Sequence, residues 1–333
     1  MDNEHPKIEY GKIGVLLINL GTPDSTSWLD IRKYLKEFLS DRRVIEVNPI
    51  LWQLILNIFI LNLRPSKTAE AYKKIWMQKE NMSPLRYYTI MQSEKLMKLI
   101  NDKKIIVDYA MRYGQPSINS VLKKLQQMGC EKIIVLPLYP QYASATTATV
   151  CDEVYRSLMK MRWQPSLQVI PHYESEPLYI NALVNSLNKK IKEIKWKPDL
   201  IVCSYHGIPQ KYFDKGDPYH CYCQKTSRLL TESFKSDIPI KTTFQSRFGP
   251  QAWLKPYTDK TLESLPSQGK KNILLICPGF ASDCVETLEE IAIQGKQTFL
   301  DSGGKKFDIV PCLNDSDDHI DLMASLINKH LIK

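Results

Sequence analysis

Short runs of β-branched and apolar residues alternate with helix-period segments along the whole chain, and this alternation leaves little choice of fold. A strand followed by an amphipathic helix rejoins its own sheet only through a crossover, which makes the sheet parallel. Four runs lie in the first half, Lys12–Leu20, Lys104–Ala110, Lys132–Leu138 and Leu167–Ile170. Four more follow, Asp199–Tyr205, Ile240–Gln245, Lys271–Cys277 and Phe307–Val310. Between them Trp28–Leu39, Lys67–Gln78, Ser117–Met128, Leu178–Ile194 and Val285–Gln297 place apolar residues at helical spacing. The expectation is an α/β protein of two similar Rossmann-like domains, each a doubly wound, parallel four-stranded sheet, facing each other across a cleft. The first domain is expected over 1–175 and the second over 176–316, with a last helix at 317–333 packing back on the first. A chain of 333 residues suits two domains, because single cores stop growing near roughly 250–300 residues.

The charge balance narrows the partners. Lys and Arg number 45 against 36 Asp and Glu, a net charge of +9 with no basic run long enough to follow a nucleic-acid backbone. No nucleic acid is expected; a mild attraction to anionic carboxylates or anionic lipid is. Met1–Tyr10 is polar and lacks the apolar core of a secretory signal. Eight cysteines lie scattered from Cys130 to Cys312 in a chain too long to need disulfide staples, which points to a reducing, cytoplasmic setting. Pro49–Leu63 (PILWQLILNIFILNL) is the most apolar stretch, yet it is shorter than the ~20 residues of a membrane span and carries Gln53, Asn57 and Asn62. It reads as an apolar lip that dips into a membrane surface through Trp52, Leu56 and Ile60.

The segments after the strands carry the chemistry, since open α/β sheets bind ligands beyond the carboxyl ends of their strands. Those ends supply Gly21-Thr22-Pro23-Asp24, Arg112-Tyr113-Gly114, Tyr139-Pro140-Gln141-Tyr142, His206-Gly207-Ile208-Pro209, Ser246-Arg247-Phe248-Gly249-Pro250 and Pro278-Gly279-Phe280. Two such rims facing each other make a large apolar pocket with a few polar groups. No dinucleotide or P-loop glycine pattern occurs. His206, on a loop at a strand end, is a candidate base or metal ligand near neutral pH, although a lone histidine is more often structural. Asp283, Glu286 and Glu290 fall at i, i+3 and i+7, one face of a helix beginning near Asp283. Acids early in a helix complement its dipole, and Asp283 could simply cap it; a carboxylate ladder also suits passing a cation or protons. Cys221-x-Cys223 has the wrong spacing for a zinc or iron–sulfur hook.

Taken together, these motifs resemble the ferrochelatase family. The matching segments are Asn19-Leu20-Gly21-Thr22-Pro23, Arg64-Pro65 with Tyr72, Ser83-Pro84-Leu85, Arg112-Tyr113-Gly114 and Tyr139-Pro140-Gln141-Tyr142-Ala143. Further on come Ser204-Tyr205-His206-Gly207-Ile208-Pro209, Gly216-Asp217-Pro218-Tyr219, Gln245-Ser246-Arg247, Gly249-Pro250, Trp253-Leu254, and Pro278-Gly279-Phe280 with Asp283 to Leu288. The resemblance implies a lyase that inserts Fe²⁺ into protoporphyrin IX at the end of haem biosynthesis, releasing two protons. It implies His206 and Glu286 as the central pair, named both as iron ligands and as proton acceptors, with Asp283 and Glu290 as an accessory acidic path. Leu20, Arg64, Tyr72, Arg112, Tyr113, Tyr139, Trp253 and Phe280 are implied to line the porphyrin pocket. Cys284 stands where animal members carry a histidine, and the chain ends at Lys333 without their cysteine-bearing tail. The expectation is therefore no iron–sulfur cluster and no cofactor beyond substrate iron, in a monomer or weak homodimer on the inner face of the cytoplasmic membrane. A chelatase for coproporphyrin III or another tetrapyrrole, and a haem-binding protein, are the alternatives.

Overall fold

The structure is a computed structural model that describes residues 9–331. It contains two parallel four-stranded sheets. The first is built from β1 (Lys12–Gly21), β2 (Ile105–Tyr113), β3 (Cys130–Pro137) and β4 (Ser166–Val169) in the order β2-β1-β3-β4. The second is built from β5 (Leu200–His206), β6 (Ile240–Gln245), β7 (Asn272–Ile276) and β8 (Lys306–Ile309) in the order β6-β5-β7-β8. The same topology thus occurs twice, as the alternation in the sequence requires. Val15–Ile18 of β1 and Ile201–Cys203 of β5 are fully buried, which is the cost-free place for unbroken apolar runs in a sheet covered on both faces.

The two sheets share one continuous core. Val15, Leu17 and Leu136 belong to the same apolar cluster as Ile201, Cys203 and Leu274. Tyr179, Leu183 and Leu187 of the helix Pro177–Ile194 and Ile320, Met323 and Ile327 of the helix Asp317–Leu331 complete it. That last helix packs on Pro84–Ile100 and on β3, and Lys132 donates to the carbonyl of His330 at 2.6 Å. Residues 332 and 333, like Met1 to Ile8, lie outside the described range.

Three local features differ from the sequence expectation. Strand β2 runs on to Tyr113, paired with Gly21, so Arg112 and Tyr113 are strand residues and not rim residues. Gly21 makes this close approach possible: its φ is +112°, and a Cβ there would sit 1.8 Å from the Tyr113 carbonyl oxygen. The segment expected as an ordinary helix at Val285–Gln297 is a wide-turn π-helix over Glu286–Gly295, continued by an α-helix over Lys296–Asp301. Such turns are rare and gather at functional sites. Asp283 lies before that helix, so the expected i, i+3, i+7 face does not form.

The lip is helical from Pro49–Ile55 through a π-turn at Leu56–Ile60 into Leu61–Ile75, and Asn48 caps it by accepting from the backbones of Ile50 and Leu51. Its outward side chains are Ile50, Leu51, Leu54, Ile58, Phe59 and Leu63, the outermost being Ile50 at 76% exposure. Trp52 and Leu56, expected to insert, face inward instead. The Trp52 indole donates to the carbonyl of Leu39 at 2.7 Å and Leu56 is wholly buried. Helix periodicity decides this, because positions 52, 56 and 60 fall on the face that packs on Trp28–Leu39.

Candidate active site

At the carboxyl ends of the strands lies a cavity of about 1080 Å³, open solvent at its mouth included, lined from both halves of the molecule. Leu20 and Tyr139 contribute from the first sheet; His206, Trp253, Phe280 and Glu286 contribute from the second. Sequence reasoning passed over Phe38, Leu85, Tyr212 and Tyr219, which also line it. Tyr219 was within reach, because Gly216-Asp217-Pro218-Tyr219 is a loop-to-helix signature. Asp217 accepts from the backbone of Tyr219 at 3.0 Å and of Ser144 at 2.7 Å, which fixes Tyr219 against the opposite half.

His206 is the last residue of β5 and is half buried. Its Nδ1 lies 2.6 Å from the carbonyl oxygen of Gly207. A carbonyl can only accept, so Nδ1 carries the hydrogen and Nε2 keeps its lone pair. That nitrogen can take one proton or bind one cation. Glu286 opens the wide-turn helix on the same cavity wall. Glu290, one turn on, does not line the cavity. Its carboxylate accepts from Ser246 and is pushed up from its ordinary pKa mainly by burial and also by Glu286; Ser246 and His206 act in the opposite sense. These three residues therefore form one electrostatic group.

Asp283 stands apart from it. One carboxylate oxygen accepts from the Thr287 hydroxyl at 3.0 Å and from the Cys312 backbone at 3.3 Å, and the other accepts from the Asn314 amide at 2.7 Å. With its oxygens so engaged, Asp283 fastens the loop before the helix, and it does not line the cavity.

Of the eight residues expected to line the pocket, four lie off the cavity wall. Arg112 is 8% exposed and spends its guanidinium on Asp41, at 2.5 Å, and on Thr149. Tyr113 donates to the same Asp41 carboxylate at 2.8 Å. Both are absent from the cavity wall because β2 carries them inward. Tyr72 is buried behind the wall, where desolvation first and the Glu286 charge second hold its phenol protonated. Arg64 stacks over the ring of Phe248 at 4.2 Å, a contact that joins the lip helix to the loop after β6. Tyr139 does line the cavity, and its buried hydroxyl has no hydrogen-bond partner among the described residues.

All eight cysteines are free thiols, and Cys223, Cys277, Cys284 and Cys312 are buried with their pKa pushed well up by desolvation. Among the described residues no group of three or more His, Cys, Asp or Glu side chains is arranged to hold a metal ion. A site with one imidazole and one carboxylate on an apolar cavity suits a cation that passes through.

Two doubly wound parallel sheets closing on such a cavity define a two-sheet α/β fold with its candidate site between the halves. Solved structures agree at the level of fold. SirB from Bacillus subtilis with Fe³⁺ superposes with a TM-score of 0.56 at 10% identity, over 96% of this chain and 95% of that one. The sirohydrochlorin chelatase SirB from B. subtilis subspecies spizizenii, in complex with cobalt, gives 0.55 at 10% identity, over 96% and 94%. The sequence goes further. The ferrochelatase family model matches residues 12–331. Ferrochelatases of Allorhizobium ampelinum and Rhizobium meliloti are each 52% identical, over 99% of this chain and 97% and 98% of theirs. That of Brucella ovis is 48% identical over 98% of this chain and 94% of its own. The chain belongs to the ferrochelatase family, whose members are lyases that insert iron into protoporphyrin in haem synthesis.

Proposed function

We propose that metal insertion into protoporphyrin IX takes place in the cavity between the sheets, with His206 and Glu286 as its two working groups. The observation that carries this reading is the 2.6 Å contact between His206 Nδ1 and the Gly207 carbonyl oxygen: it engages Nδ1 as a donor and leaves Nε2 as the ring nitrogen free for a proton or a cation, on a residue that lines the same apolar cavity as Glu286. Insertion exchanges two pyrrole protons for one Fe²⁺, so the site needs both a proton acceptor and a ligand that gives the metal up. Fe²⁺ accepts imidazole and carboxylate donors, and two donors hold it loosely. Nε2 takes one of the two protons, the new charge being balanced by Glu290, and the Glu286 carboxylate takes the other once it has given up the metal. The apolar walls of Leu20, Trp253 and Phe280, with the ring of Tyr139, grip the macrocycle. No resident cofactor is needed in this scheme.

The lip belongs to the same proposal. Two of its three polar residues turn back on the helix: Asn57 donates to the carbonyl of Gln53 at 2.7 Å, and Asn62 to those of Asn57 and Ile58 at 3.3 and 2.8 Å; the Gln53 amide reaches the Ser40 hydroxyl at 3.4 Å. Backbone groups satisfied internally and six outward apolar side chains are what an interfacial helix needs. No helix among the described residues is long and apolar enough to cross a membrane. The reading is peripheral attachment at the cytoplasmic membrane, delivering an apolar substrate to a monomer or weak homodimer. Residues 1–175 and 176–316 are its two domains, each giving one wall of the cleft.

The test is an anaerobic assay of Fe²⁺ and Zn²⁺ insertion by absorbance. His206→Ala and Glu286→Gln should stay folded, bind protoporphyrin, and lose insertion by ~10²-fold or more, the scale of a missing acid–base group. Near wild-type kcat in both variants would refute the site. Equal turnover of coproporphyrin III would refute the preference for the less charged macrocycle.

A further inference from the structure

His206 and Glu286 sit on different elements, a strand end and a wide-turn helix, and one buried side chain joins the two. Gln245, 3% exposed, ends β6 directly beside His206 in the sheet register. Its backbone carbonyl accepts from the N–H of Gly207 at 2.8 Å, the residue whose own carbonyl fixes the His206 ring. Gly207 must be glycine for this to happen, since a Cβ there would lie 2.9 Å from that same Gln245 oxygen. The side-chain amide of Gln245 reaches the other way and donates to the carbonyl of Glu286 at 2.9 Å. Its orientation is set from behind, where Oε1 accepts from the Ser204 hydroxyl at 2.7 Å, and Ser204 is in turn tied to Thr258 at 2.8 Å.

We propose that Gln245 is a positioning residue for metal insertion: a buried amide that locks the strand end carrying His206 to the first turn of the helix carrying Glu286. The physical reason is specific to the wide turn. The N–H groups of a helix's first turn have no intrahelical partner, so that turn is held through its carbonyls alone; in a rare i→i+5 helix, a second bond to the Glu286 carbonyl from outside ties down the backbone that aims its side chain. Gln245 supplies that bond from a rigid strand. It touches neither metal nor macrocycle in this scheme and acts only through the pair. The inference rests on the assignment of His206 and Glu286 above.

Gln245→Leu and Gln245→Met remove the amide and keep most of the volume, and the Ser204 hydroxyl retains Thr258 as a partner. Both variants should bind protoporphyrin, read by fluorescence titration, within about twofold of wild type, while kcat for Fe²⁺ insertion falls on the order of tenfold, the scale of lost outer-shell support. The discriminating measurement combines each substitution with Glu286→Gln. If Gln245 works through Glu286, its removal from that background costs less than about threefold, because the group it aims is already disabled. Two results overturn the proposal: kcat within about twofold of wild type in whichever single variants fold, or the full loss repeated on top of Glu286→Gln, which marks a structural role. The two failures are distinct. Full activity in Glu286→Gln alone defeats the site assignment, whereas an inactive Glu286→Gln with active Gln245 variants defeats only the role of Gln245.

Discussion

Ser246 gives both its backbone N–H and its hydroxyl to the carboxylate of Glu290, at 2.7 and 2.5 Å. It does so from the left-handed region, with φ at +64°, a conformation that a residue with a Cβ adopts only when something holds it there. The Glu290 carboxylate is what holds it. Glu290→Gln keeps the shape but removes one acceptor and the charge that faces His206. The expected outcome is a several-fold higher KM for Fe²⁺, with kcat at saturating iron changed by less than about threefold. Ser246→Ala should move KM in the same direction by less. An unchanged iron response in Glu290→Gln would separate Glu290 from the reaction altogether.

Asp283 should behave in the opposite way. Three donors converge on its buried carboxylate, so Asp283→Ala leaves the Asn314 amide and the Cys312 N–H without this acceptor and the Thr287 hydroxyl with only the Cys284 carbonyl. The expected loss of stability is about 2–4 kcal/mol, read by urea unfolding. KM for Fe²⁺ in the folded fraction should stay at its wild-type value. A raised iron KM at unchanged stability would place Asp283 on the metal path after all.

On the lip, Ile50, Leu54 and Phe59 are 76%, 55% and 58% exposed, so replacing them with Ser removes apolar surface that no protein contact uses. Each should subtract on the order of 1–2 kcal/mol from transfer to a lipid surface. The triple variant should lose binding to anionic liposomes while its melting temperature stays unchanged. Leu56→Ser, at a wholly buried position, should instead lower the melting temperature. Undiminished liposome binding by the triple variant would show that another surface makes the attachment.

The strands were readable in the sequence to within a few residues because parallel strands buried on both faces leave unbroken apolar runs, as in Val15–Ile18. That His206 and Glu286 line one cavity was readable because their neighbours form dense motifs at strand ends. What escaped depended on contacts distant in sequence. Arg112 sits 71 positions from Asp41, and only the folded sheet shows that their pairing turns both inward. Nor does any local pattern distinguish the π-turn at Glu286–Gly295 from an α-helix, since both carry apolar residues at similar intervals. The fate of Asp283 was hidden for the same reason, because Asn314 reaches it from 31 residues away.

His319 offers a prediction that reaches the site from the far side of the network. It is wholly buried in the last helix, with Nδ1 donating to the carbonyl of Asn314 at 2.6 Å, the same residue that clasps Asp283. Burial pushes its pKa down to about 4 from an ordinary value of 6.5, with the Asn314 hydrogen bond and Asp315 opposing only in part. The unfolded chain therefore takes up a proton below pH 6.5 that the folded protein refuses until about pH 4. Stability must fall as the pH drops through that window, and His319 stops contributing further loss below it. Its share between pH 6.5 and 5 is about 1.5 kcal/mol. Urea unfolding at the two pH values should show that loss in the wild-type protein. His319→Leu, less stable at pH 7.5 because the Asn314 carbonyl loses one of its two donors and keeps only the Gln92 amide, should show a slope smaller by about the same amount. A variant whose stability declines as steeply as wild type would mean that some other group carries the acid sensitivity of this fold.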